Sequence, residues 1–176
     1  MSLAVLGQRT HLEVAEREAP VLVGVERERR LVHAASGASI PMRYELTPVP
    51  GTEDLAAGVE GGDARSMIAW AWTTPGGVVS WTMTLLRTPP STAGFEQHVE
   101  AVLDGARDSG MTLDDVFVGD RVARASGSVR GIPCLVRIDS FTARRDGAER
   151  HWSSLVAIID ADTAAAATHL DGLRVP

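Results

Sequence analysis

The chain has 176 residues, a formal charge of −6, and 44 % hydrophobic against 23 % charged residues. Those proportions are globular. No apolar run approaches the roughly 20 residues that span a bilayer, and the acidic balance excludes the basic footprint of a nucleic-acid binder. The single cysteine, Cys134, excludes an internal disulfide and a thiolate zinc cluster. The first residues lack a basic n-region and a lipobox-like cysteine, so a cytoplasmic location is the expectation.

The length suits a single domain over 1–176, with an N-terminal β section and loop in 1–62 and a hairpin–helix–hairpin–helix core in 63–176. In the first part, 21–25, 30–34 and 40–46 read as strands, with Pro41 at a strand start or edge. The charged run 26–30 reads as a solvated turn, and the Pro- and Gly-rich stretch 48–63 as a loop.

Residues 67–87 read as a hairpin. With Gly76-Gly77 as a primed two-residue loop, Trp72 faces Trp81, Trp70 faces Met83, and Ile68 faces Leu85. The large side chains then share one face, and Ala, Ser and Thr share the other. A helix follows, capped by Ser91 or Thr92, with Phe95, Val99, Val102, Leu103 and Ala106 in one stripe and Gly110 just past its end. The tryptophan face is the nearest partner in sequence for that stripe. One further strand is expected within 116–126.

The second hairpin is longer. With Asp146-Gly147 as the type I′ loop, Arg144 faces Glu149, Phe141 faces Trp152, and Ile138 faces Leu155. Cys134, Val136, Ile138, Leu155, Ala157 and Ile159 make a core face. The opposite face mixes Arg137, Asp139, Phe141, Trp152 and Ser154 with aliphatics, which predicts a half-wet surface. Asp162-Thr163 starts a short closing helix over 164–170, ended by Gly172.

Chemical motifs are sparse. His151, Ser153 and Ser140 gather near the turn of the second hairpin, but Asp139 lies on the other face. A hydroxyl nucleophile needs a positioned base with its orienting partner, so no catalytic residue is assigned. Asp160, Asp162 and His169 match no metal spacing, Cys134 reads as a small buried hydrophobe, and no glycine pattern forms a phosphate loop. No metal or cofactor is expected. Trp70, Trp72 and Trp81 read as core rather than ligand pocket. Arg137, Asp139, Phe141 and Trp152 are the candidate partner-binding residues, because two opposed aromatics beside an arginine have the composition of an interface centre. Cover by the N-terminal strands or by a helix is the structural alternative.

The strand at 78–87, the helix at 92–110, the Gly131-Ile132-Pro133-Cys134 entry into a strand, and the closing strand 152–160 before a terminal helix together resemble the PsbP-like or Mog-type α/β/α sandwich. That group includes actinobacterial LpqN-like lipoproteins and DcrB/Eag-type chaperones. The resemblance covers 67–176 and rests on element order. All 17 basic residues are arginine, which fits a GC-rich bacterial genome. The resemblance implies an α+β fold, with a twisted antiparallel sheet and helices packed on it, and a binding or accessory role without catalytic residues. The expected function is therefore non-catalytic binding of a protein partner, in an accessory or chaperone-like role. The alternative is a small-molecule or lipid-binding pocket protein with hydrolytic activity built on His151 and Ser153.

Overall fold

The computed structural model describes residues 20–25, 28–41, 47–48, 64–89 and 91–176. Strands β1 (Pro20–Val25), β2 (Glu28–His33) and β3 (Ser39–Pro41) form a small antiparallel sheet in the order β1-β2-β3. The main sheet holds β4 (Thr47–Pro48), β5 (Ala64–Thr74), β6 (Gly77–Leu86), β7 (Met111–Val118), β8 (Val122–Val129), β9 (Ile132–Arg145) and β10 (Ala148–Asp160). Its seven strands run β4-β5-β6-β10-β9-β8-β7, and every neighbouring pair is antiparallel. Helices α1 (Thr92–Asp108) and α2 (Thr163–Asp171) complete a mixed α+β fold.

The helix ends follow local chemistry. Ser91 Oγ accepts from Gly94 N at 3.0 Å, and Asp162 Oδ1 accepts from Ala165 N at 3.0 Å, so each helix has a side-chain N-cap. Gly110 takes φ +88° after α1, a conformation that glycine adopts without steric cost.

The second hairpin has the expected register. Phe141 pairs with Trp152, Ile138 with Leu155 and Arg144 with Glu149, around Asp146 and Gly147 at φ 52° and 76°. The first hairpin is displaced by two residues: Trp70 pairs with Trp81, Trp72 with Val79 and Ile68 with Met83, around Pro75-Gly76. A two-residue shift keeps every side chain on its expected face. The strand expected within 116–126 is two strands, β7 and β8, separated at Gly119, whose N–H donates to Val122 O at 2.8 Å.

The sheet carries a core on each face. Phe95, Val99 and Leu103 of α1 are buried with Ala123, Ala125, Cys134, Val136 and Ile138. The tryptophan face is buried elsewhere. Trp72, Trp81 and Met83 join Phe141, Trp152, Val156 and Ile158 beneath Leu31 and Ile40 of the small sheet and Ala166 and Leu170 of α2. The expectation that the α1 stripe covers the tryptophans is thus corrected. The nearest apolar face in sequence is not the one that α1 meets, because β8, β9 and β10 present their own aliphatic face to it.

The loop expected at 48–63 lies outside the described residues apart from Pro48, as do 42–46 and 26–27. Arg30 belongs to β2 rather than to a solvated turn. Its guanidinium donates to Ser39 O at 3.0 Å and to Gly172 O at 2.6 Å, tying the small sheet to the end of α2.

Candidate functional site

The four residues expected to bind a partner are brought together, but on a covered face. Trp152 is 0 % exposed, Asp139 3 % and Phe141 4 %. The half-wet reading of this face is corrected: the small sheet and α2 cover it, so Phe141 and Trp152 are not offered to an outside surface. The charged pair is accommodated by pairing. Arg137 Nε and Nη2 donate to the two Asp139 oxygens at 2.9 and 2.8 Å, and Nη1 donates to Leu170 O at 3.3 Å. Burial pushes the Asp139 carboxyl up from its ordinary value, and the hydrogen bond and charge of Arg137 oppose that push. At its outer end this face opens into a shallow groove of about 540 Å³ bordered by Arg121, Arg137, Phe141 and Val175.

The serine and histidine residues also regroup. Ser153 and Ser140 do pair across β10 and β9. The histidine bonded to Ser153, however, is His98 of α1, with Nε2 and Oγ 2.8 Å apart. His151 instead bonds Thr142 through Nδ1, at 3.0 Å from the hydroxyl. Among the described residues, no carboxylate bonds His98, so a triad is not assembled. The sequence signal for His98 is its position beside Val99, at the margin of the apolar stripe, where a side chain reaches the sheet.

Burial pulls the His98 imidazole below its ordinary value of 6.5. The unfolded chain therefore takes up that proton first, and stability should fall as pH drops below that value. Urea denaturation at neutral and mildly acid pH checks this. His98→Gln should lose less stability than the parent over that interval, by up to about 1.4 kcal/mol per pH unit. Equal losses in both proteins would remove His98 as the cause.

The remaining polar candidates serve structure. Asp160 accepts from Thr74 Oγ1 at 3.0 Å and from Asp162 N at 2.9 Å, while Asp162 caps α2. Among the described residues, no three His, Cys, Asp or Glu side chains form a metal-ligand group. Cys134 is buried with Sγ 3.4 Å from Met111 Sδ, and burial pushes its thiol up. A depressed value is what a reactive thiolate needs. No helix is long and apolar enough to cross a membrane, among the described residues.

The expectation of one strand within 116–126 misses a surface feature at β7. This strand ends the sheet order, so its outer edge is unpaired among the described residues. It exposes Val116 at 43 %, Phe117 at 63 % and Val118 at 40 %. Phe117 pairs with Arg124, which places it on the α2 face. There a groove of about 330 Å³ runs between β7, β8 and α2, bridged by the Arg124–Asp171 ion pair at 2.8 Å. Reading 116–126 as one strand hid this edge. The Gly119-Asp120 break was the available signal.

Comparison of the chain with protein-family models, with curated proteins and with solved structures finds no match in any of the three.

Proposed function

We propose that this is a non-catalytic, protein-binding accessory or chaperone-like protein that receives an extended segment of its partner along the outer edge of β7. The exposure of Phe117 between Val116 and Val118 on an open sheet edge is the observation that carries this reading. Exposed apolar edge strands template pairing with another chain, and proteins normally blunt them. β7 is blunted only in part, by a register shift between Leu113 and Asp115. An added strand would take main-chain hydrogen bonds from the edge and place alternate side chains in the adjoining groove.

The charge of the edge selects the partner. Asp114, Asp115 and Asp120 are all exposed beside the apolar triplet, so the fitting segment alternates apolar and basic residues. A second copy of β7 would bring those carboxylates against their own kind. In this reading α1 and α2 on the two faces of the sheet make the α/β/α sandwich of the PsbP-like or Mog-type proteins. The resemblance in element order supports the accessory role.

Selection from a random peptide library against the intact protein should return alternating apolar–basic sequences, and the bound peptide should protect backbone amides of β7 from exchange. Phe117→Asp should weaken that binding by about thirtyfold, the scale of a hot-spot residue. Its unfolding free energy should change by less than about 1 kcal/mol, as for an exposed position. Undiminished binding by Phe117→Asp, or protection elsewhere on the sheet, would overturn the assignment to β7.

A further inference from the structure

The first turn of α1 opens onto a small pocket of about 120 Å³, separate from β7, lined by Leu86, Pro89, Ser91, Phe95, His98 and Ser140. Ser140 is 3 % exposed, yet among the described residues its hydroxyl has no hydrogen-bond partner. A buried hydroxyl without a partner costs free energy that a bound acceptor would recover. Ser140 lies on the α1 face of β9, opposite Ser153, and His98 of α1 reaches Ser153 on that face. Its neighbour Ser153 is already engaged by His98 at 2.8 Å, so Ser140 holds the unused hydroxyl of the pair.

The surroundings define what that hydroxyl would receive. The N-terminal end of a helix carries a partial positive charge; here Gly94 N is taken by Ser91 Oγ and Phe95 N by Ser91 O, so it favours an anion through its field rather than through a free amide. Leu86, Pro89 and Phe95 supply apolar walls, and the pocket has room for only a few non-hydrogen atoms. The polar atom to be received is an acceptor, and the rest of the ligand is short and apolar.

We propose that the pocket at the start of α1 binds a small aliphatic monocarboxylate, with its carboxylate on the Ser140 hydroxyl and its short chain against Leu86, Pro89 and Phe95. The site is independent of the β7 edge, and neither assignment requires the other. The ligand is the free acid rather than the carboxyl end of a polypeptide, because a pocket of about 120 Å³ has room for only a few non-hydrogen atoms.

Titration of the intact, isotope-labelled protein with propionate, followed through backbone amide resonances, tests the site. Saturable shifts should centre on Ser91, Phe95, His98 and Ser140, with a dissociation constant of ~1 mM, as befits so few atoms. Ser140→Ala should keep the parent spectrum elsewhere and bind propionate about tenfold more weakly, the worth of one hydrogen bond to a charged group. Propionamide, the neutral isostere, should bind several-fold more weakly than propionate. Absence of saturable shifts in this turn, or equal affinity in a folded Ser140→Ala protein, would overturn the site. Equal binding of propionamide would overturn the anion. A tripeptide with a free C-terminus that bound as tightly as propionate would overturn the free-acid assignment.

Discussion

Trp152→Ala should lower the unfolding free energy by about 3–5 kcal/mol, the range for removing a fully buried aromatic ring. The side chain is 0 % exposed, lies opposite Phe141 and Leu85 in its two strand pairings, and meets the His33 ring edge-on at a centroid distance of 4.9 Å. No side chain nearby can expand to refill that volume without leaving its own rotamer. Its Nε1 is buried without an acceptor among the described residues, so Trp152→Phe should cost much less: part of the lost packing is offset by removing an unsatisfied donor. Equilibrium urea denaturation of the two variants checks both statements. A loss below about 1 kcal/mol for Trp152→Ala, the scale of an ordinary substitution, would return this face to the surface.

Asp139→Ala is expected to be comparably severe, at about 3–5 kcal/mol, because it leaves a buried guanidinium without its counter-charge. The Arg137 side chain is only 13 % exposed, and its other hydrogen bond, to Leu170 O, cannot replace a bidentate carboxylate. The double variant Arg137→Met with Asp139→Leu should regain most of the loss, since the desolvation of both charges disappears with them. The pH dependence runs opposite to that of a surface ion pair. The native carboxyl holds its proton above the ordinary value of 3.8, so this group's contribution is greatest below that value and declines as pH rises through the native titration. Denaturation of the single and double variants across mildly acid pH separates the two effects. An Asp139→Ala protein as stable as the parent at neutral pH would exclude a structural role for the pair.

The second hairpin was readable from sequence because one local signal fixed everything else. Asp146 and Gly147 both adopt positive φ, as a type I′ loop requires, and each pairing of β9 with β10 follows from that turn. The first hairpin carried a similar signal with a different cause. Neither Gly76 nor Gly77 has a positive φ. A Cβ on Gly77 would collide with the Ile159 carbonyl oxygen, so this glycine answers to the close approach of β10, a strand far away in sequence. Long-range causes also explain the other differences. The mixed face of β9 and β10 looked wet because the elements that cover it, the small sheet and α2, come from the two ends of the chain. Of the candidate sites, the placement of Ser140 and Ser153 was legible in strand alternation. His98 was not, since its contact depends on which sheet face α1 chooses.

The single seam between β6 and β10 has a kinetic consequence. On one side lies the β5–β6 hairpin, and on the other the continuous meander β7-β8-β9-β10, each built from neighbours in sequence. Such local pairings close short loops and form early, whereas the seam joins Gly77 with Asp160 and Leu86 with His151 across α1 and three intervening strands. Two half-sheets can therefore exist before the seam closes, each with an open apolar edge. The closure also brings the Thr74 hydroxyl to Asp160, whose carboxylate accepts from Asp162 N at the start of α2. Slow joining, not slow strand formation, is then what exposes this chain to misassembly during synthesis, at the stage when it would itself depend on a chaperone.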